Sequence, residues 1–367
     1  MRYCQILHVL FLLFCIHSAY SQNQDTIVSL DTIKSRNQLL AYPIIFYLPE
    51  TNWGFGAAGF YSFRFKGEST KSNPSQIQFS VNYTLNRQIN LSFPFELYAD
   101  EDHWKIKGEL GYYRYQYYFF GIGNETKKND KETFRADYPR VRLDVLRKWN
   151  KMFLGLRFRF DQFDIIDIKK GGLLENTLLQ KPKGGRLSGL GLVAQIDTRD
   201  FIYNPTKGLY IDSELFVNDS WTASDYNYVR LSIDAAKYIR LANAHTLAFH
   251  MHSANVTGNP LFYDLPFFGS PKLVRGYIDR RFIDKNILVL QTEYRYPVYK
   301  RFQGVAFFGM GNVASTFSGL VKTTFKSSFG LGIRFTLNKT DRVRLRVDYG
   351  RTLHEGGSFY VTINDAF

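Results

Sequence analysis

RVRLRVDYG, residues 342–350, places Arg342, Arg344, Arg346 and Asp348 on one side of an extended chain and Val343, Leu345, Val347 and Tyr349 on the other. A period of two without a miss is the pattern of a strand with one apolar and one charged face. GLRFRFDQF, residues 155–163, repeats it, with Leu156, Phe158 and Phe160 against Arg157, Arg159 and Asp161. FGLGIRFTL, residues 329–337, alternates likewise, and TLAFHMH, residues 246–252, sets Leu247, Phe249 and Met251 opposite Ala248, His250 and His252. A soluble sandwich and a membrane barrel both use such strands, so the period alone leaves the two open.

Segments of this kind recur about sixteen times between turn signals, the first at 41–48, the tenth at 224–239 and the last at 357–367. An even number of roughly ten-residue strands, joined alternately by short turns and longer polar loops, fits a transmembrane antiparallel β-barrel with a lipid-facing outside and a wet inside. The two ends of the chain agree. Arg2, the apolar run from Ile6 to Ile16 and the small residues before Gln22 have the order of a secretory signal peptide, expected over residues 1–21, and the run is too short to span a bilayer. The chain ends FYVTINDAF, with Phe359, Val361, Ile363 and Phe367 in phase, similar to the C-terminal signal of bacterial outer-membrane proteins, although Asp365 interrupts that face.

Composition narrows the function classes. Both cysteines, Cys4 and Cys15, fall within the expected signal peptide, and Phe14 is too bulky for lipoprotein processing, so the exported chain has no disulfide, thiolate or cysteine metal site. The formal net charge is +14. Export makes nucleic acid a poor partner for that charge, whereas a polar lumen or anionic headgroups suit it. The G-x-S-x-G, H-E-x-x-H and G-x-x-x-x-G-K-[ST] signatures are absent, so no enzyme, nucleotide or other cofactor is expected. His250 and His252 share a strand face without a third ligand nearby, and read as luminal histidines rather than a metal site.

Several stretches together resemble the Omp85 superfamily. VRGY, Val274, Arg275, Gly276 and Tyr277, is similar to the motif of the family's long sixth surface loop. DTRDFIYNPTKG, with Asp197, Arg199, Asp200, Pro205 and Gly208, resembles its periplasmic hairpin between the eighth and ninth strands, and TEYRYPV and VAFFGMGNV resemble the strands after the loop. The resemblance implies a loop folded into the lumen, with Arg275 held by Glu293 of TEYRYPV. A second family acid belongs in F-x-D-x-G, but FFGMG has Gly309 there, so the latch has one acid or recruits another such as Asp279 or Asp348.

The resemblance further implies a barrel over residues 41–367 whose first and last strands meet at a lateral seam, here Pro43 and Ile45 with Phe359, Val361 and Phe367. Pro43 either weakens that seam, opposite Gly356 and Gly357, or merely begins its strand. Family members usually carry POTRA domains before the barrel, and residues 22–40 are too few for one, which suggests a barrel-only member with a short periplasmic segment. The implied role is insertion or translocation of proteins or lipids at the outer membrane of a Gram-negative bacterium, without nucleotide hydrolysis. Its partners would be outer-membrane lipid, unfolded outer-membrane or secreted proteins, and a separate periplasmic protein. A constitutive pore or scaffold is the alternative, and a barrel enzyme a remote one.

Overall fold

The computed structural model describes residues 37–48, 51–69, 72–177, 184–201, 204–241, 244–336, 344–363 and 366–367. The expected signal peptide and most of the segment after it lie outside these. Sixteen antiparallel strands close into a barrel. They are β1 Gln38–Leu48, β2 Asn52–Phe63, β3 Ser75–Thr84, β4 Ile89–Ala99, β5 Trp104–Phe119, β6 Glu132–Trp149, β7 Met152–Asp167 and β8 Gly184–Asp197. The second half comprises β9 Gly208–Asn218, β10 Tyr228–Arg240, β11 Thr246–Gly258, β12 Asn286–Tyr299, β13 Phe302–Ala314, β14 Lys326–Thr336, β15 Arg344–Thr352 and β16 Gly357–Ile363. Each strand pairs with its sequence neighbours, and β1 meets β16.

Alternation resolves into outside and inside as the sequence requires. Leu156, Leu192, Leu231, Phe329, Leu331, Ile333 and Phe359 stand exposed on the outer wall, while Arg157, Asp161, Glu214, Glu293, Arg334, Arg346 and Asp348 are buried within. An exposed apolar band around a closed barrel is stable only against lipid. Trp104, Trp149, Tyr299 and Phe302, also exposed, sit where strands meet the short-turn end, as interfacial aromatics do.

Several strand limits differ from the expected ones by three or four residues, and those at the first, tenth and last strands bear on the site. The first strand begins at Gln38, three residues early. The tenth begins at Tyr228 rather than near 224, because Asp219 caps a short 3-10 turn over Ser220–Thr222. The last ends at Ile363, so Phe367 leaves the outer face and turns into the lumen, where its ring stacks on His250 at 4.8 Å between centroids. That corrects its placement on the lateral seam.

Candidate functional site

The connection between β11 and β12, residues 259–285, folds back into the barrel, and its sequence explains why. LFYDLPFF brings apolar side chains that cannot remain in water. Leu261, Phe262, Leu265 and Ile283 pack with wall residues Phe119, Phe134, Tyr138, Phe163 and Leu187. The Tyr263 ring stacks on Phe163 at 4.0 Å, and Phe262 meets Phe119 and Phe134 edge-on at 5.2 and 5.3 Å. Deeper in the loop, Phe268, Val274, Tyr277 and Phe282 form a second cluster with Ile287, Val289 and Val313 of the wall. The aromatics around the VRGY arginine are therefore the plug's own core.

Arg275 lies at the tip, 1% exposed. Its Nη2 donates to Glu293 Oε2 at 2.6 Å and its Nη1 to Asp348 Oδ2 at 2.7 Å, while the guanidinium lies 3.6 Å from the centre of the Phe307 ring. Burial opposes the charge, and the two carboxylates more than restore it, holding the guanidinium above its ordinary range. Glu293 is the partner expected from the motif. The second acid is Asp348 on β15, one of the two substitutes considered; Gly309 leaves room for Val274, whose Cγ1 would stand 3.4 Å from a Cβ there.

The wall is hollowed to admit the loop. Phe307, Gly330, Gly350 and Ser358 follow one another across β13 to β16 in register, all facing inward. A Cβ on Gly350 would meet the Arg275 carbonyl carbon and the Gly276 nitrogen at 2.7 Å. Gly276 itself turns with φ +113, a left-handed conformation that favours glycine. Tyr360 of β16 accepts from Gly276 N and donates to the Tyr277 carbonyl, both at 2.9 Å.

Neither acid serves Arg275 alone. Arg295 Nε donates to Glu293 Oε1 at 2.7 Å; Arg334 bonds Asp348 Oδ1 and lies 3.5 Å from Glu293; Arg346 Nε lies 3.6 Å from Asp348. Higher in the loop, Arg281 pairs with Glu355 at 2.6 Å and bonds the Thr126 hydroxyl and carbonyl. Arg295 lay within TEYRYPV without being singled out, and Arg334, Tyr360 and Arg281 carried no motif of their own. The signal that could have found the docking face was the inward glycines Gly330, Gly332 and Gly350, since alternate-position glycines mark a close backbone approach.

The hairpin between β8 and β9 is a structural turn. Arg199 grips Asp197 through Nε at 2.9 Å and Nη2 at 2.6 Å and lies over the Tyr210 ring at 4.4 Å. Asp200 accepts from Thr206 N at 2.8 Å, Thr206 Oγ1 at 2.5 Å and Lys207 N at 3.2 Å, and pairs with Arg240 at 2.9 Å. Burial pushes this carboxyl up, but the Thr206 hydroxyl, the two amides and Arg240 hold it below the usual range. Gly208 has φ +116, and the Pro205 carbonyl accepts from Arg295 at 3.1 Å.

At the seam, β1 and β16 share one register pair among the described residues, Tyr47 with Val361. Pro43 sits inside β1, paired with Ala57 of β2. The antiparallel register sends Gly357 and Pro43 to opposite ends of the seam, so proline and glycines do not face one another as expected. Ile45 and Phe359 point outward, exposed.

The chain matches the Omp85 superfamily domain over residues 71–366. Among solved structures it is similar to BamA from Haemophilus ducreyi lacking POTRA domains 1-3, at 12% identity and a TM-score of 0.63, over 90% of this chain and 70% of that one. CdiB from Escherichia coli aligns at 10% identity and a TM-score of 0.62 over 89% of this chain, and CdiB from Acinetobacter baumannii at 14% and 0.55 over 89%. The chain spans 62% and 59% of those two proteins, less than two thirds of either. Such identities establish a shared fold and no more. No curated protein matches the chain.

Proposed function

Because the chain belongs to the Omp85 superfamily, we propose that it assists insertion or translocation of polypeptides, or of lipids, at the outer membrane by parting of the β1–β16 seam around a luminal plug, with no nucleotide consumed. The seam carries this reading. β5 and β6 are in register from Trp104 with Arg147 to Phe119 with Glu132, whereas β1 meets β16 at Tyr47 and Val361 among the described residues. At about 1 kcal/mol net per hydrogen bond, parting the described seam costs on the order of a few kcal/mol, and parting β5 from β6 several times more. The lumen supports the reading from the other side. Loop 259–285 fills its centre, and cavities of about 390, 280 and 470 Å³ remain around it, lined by paired arginines and acids, which suits a plugged barrel better than an open pore. On this reading the partners are unfolded outer-membrane or secreted polypeptides, surrounding lipid and a separate periplasmic protein that delivers the substrate.

The test locks the seam. Cys4 and Cys15 both fall in the expected signal peptide, so Tyr47→Cys with Val361→Cys would introduce the only thiols of the exported protein. Directly opposed strand positions lie within the roughly 7 Å that a disulfide requires. Oxidation should abolish insertion of a reporter barrel into liposomes, reduction should restore it, and ion conductance should not change. Full insertion through the oxidised form would overturn seam opening and leave a pore or scaffold.

A further inference from the structure

Beside the arginine cluster the loop has a second anchor, a neutral one. Val274 N donates to Gln291 Oε1 at 2.8 Å, and Gln291 Nε2 donates to the Lys272 carbonyl at 2.9 Å. One loop donor and one loop acceptor leave the amide a single orientation, with its Nε2 also 2.9 Å from His250 Nδ1. That ring nitrogen must therefore be bare. The other, Nε2, carries the proton and gives it to Asp234, 3.2 Å from each carboxylate oxygen. His250 and Gln291 are register partners on β11 and β12, and the Phe367 ring covers the imidazole within 15° of parallel.

We propose that His250 sets this anchor: Gln291 holds the loop while the imidazole carries one proton, and loses it when a second proton arrives at Nδ1. An Nδ1–H would face the Gln291 amino group, donor against donor. Turning the amide over satisfies the imidazolium but aims the amino group at Val274 N–H and leaves the Lys272 carbonyl without its donor. One amide cannot serve the charged ring and both loop groups.

Imidazole is the side chain that ordinarily changes charge between pH 5 and 8, so acidification through that window releases the segment around Lys272 and Val274. The groups around the ring bear on where this happens. Asp234 faces the ring through its Nε2, and His252 Nδ1 lies 3.0 Å from the same carboxylate. Asp212, in register with Asp234, is engaged by Arg157 and Lys107, and Glu293, the next inward position on β12, by Arg275 and Arg295. Burial and Arg346 push the Lys272 ammonium down, with Asp234 opposing. The arginine cluster contains no imidazole, so acid weakens one anchor and spares the other. The proposal concerns the loop alone and holds whatever the barrel passes.

The experiment is hydrogen exchange of the whole protein in detergent, read by mass spectrometry on peptides covering residues 270–277 and corrected for intrinsic exchange, at pH 8 and pH 5.5. Wild type should lose protection roughly tenfold or more at pH 5.5, while peptides of β13 do not change. His250→Gln should show no such loss, and His252→Gln should keep it. Asp279, which titrates nearby, is common to all three chains, so the comparison cancels it. The same change between pH 8 and pH 5.5 in His250→Gln as in wild type would overturn the proposal. If His250→Gln does not run as a folded, heat-modifiable barrel, His252→Gln decides: a response that vanishes there belongs to the other histidine, and the proposal falls.

Discussion

Replacing Arg275 by alanine should free the loop tip without unfolding the barrel, and the structure sets the size of the effect. Deleting one partner of an isolated buried ion pair costs about 3–5 kcal/mol, because the survivor is left uncompensated. Here neither survivor is. Glu293 keeps Arg295 at 2.7 Å and Arg334 at 3.5 Å, and Asp348 keeps Arg334 and Arg346. The loss should fall below that range, at about 2–3 kcal/mol, equivalent to a rise of roughly 30-fold to 150-fold in exchange or proteolysis at residues 272–277. Glu293→Gln should cost more, since it leaves Arg275 and Arg334 to Asp348 and takes from Arg295 its Glu293 carboxylate. The readouts are gel mobility without boiling for the barrel and limited proteolysis with peptide mapping for the loop. Unchanged protection in Arg275→Ala, or a milder effect from Glu293→Gln than from Arg275→Ala, would refute the shared-carboxylate argument.

Gly350→Ala puts a methyl group 2.7 Å from the loop backbone and should expel the tip while the strands keep their register, seen as proteolysis at 272–277 in a heat-modifiable protein. Asp200→Asn should loosen the β8–β9 hairpin by about 1–2 kcal/mol at pH 7, measured as exchange across residues 204–208. Because the Asp200 carboxyl is held below its ordinary value, its contribution is present above about pH 4 and is lost as pH falls through the lower folded value, so the gap between wild type and variant should close in acid. Asp279 behaves oppositely. Burial pushes it up to about 6 against Arg280, so its ionised form weakens the loop above that pH and the penalty fades as pH falls toward 4. Asp279→Asn should protect the loop at pH 7.5 and match wild type near pH 4.

How much of this the sequence disclosed depends on what each feature needs. RVRLRVDYG and GLRFRFDQF show the strand and its faces outright, because period two is a local property, and sixteen such runs between turns make a barrel. Arg275 with Glu293 followed from motif position. Asp348 could be named as inward and acidic but not chosen, since its distance from Arg275 depends on the register of β14 against β15 and on how deep the loop descends. Phe367 went wrong because alternation does not say where a strand stops: extending the β16 face past Ile363 sends the ring to lipid, whereas the strand ends at Ile363 and the ring lies on His250. At the seam, Pro43 was visible but its neighbour was not. LFYDLPFF has no period that assigns it a partner, and only the folded chain shows that it packs against a wall lined with tyrosine and phenylalanine.

The family-like stretches were recognised one at a time, yet one guanidinium joins three of them with the chain terminus. Arg295 of TEYRYPV reaches Glu293 in its own strand, the Pro205 carbonyl of the β8–β9 hairpin at 3.1 Å and the terminal carboxylate of Phe367 at 3.4 Å. The other oxygen of Glu293 holds the loop arginine. A carboxylate shared in this way cannot follow Arg275 away from the wall without withdrawing from Arg295, which would then exchange a 2.7 Å charge-assisted bond for its longer contacts with the Pro205 carbonyl and the Phe367 terminal carboxylate. Phe367 in turn packs on the His250 ring that orients Gln291 beneath the loop. Hairpin, terminus and plug are thus held by bonds that compete for the same atoms, and a change in the position of one alters the electrostatics of the others even though the strands between them remain rigid.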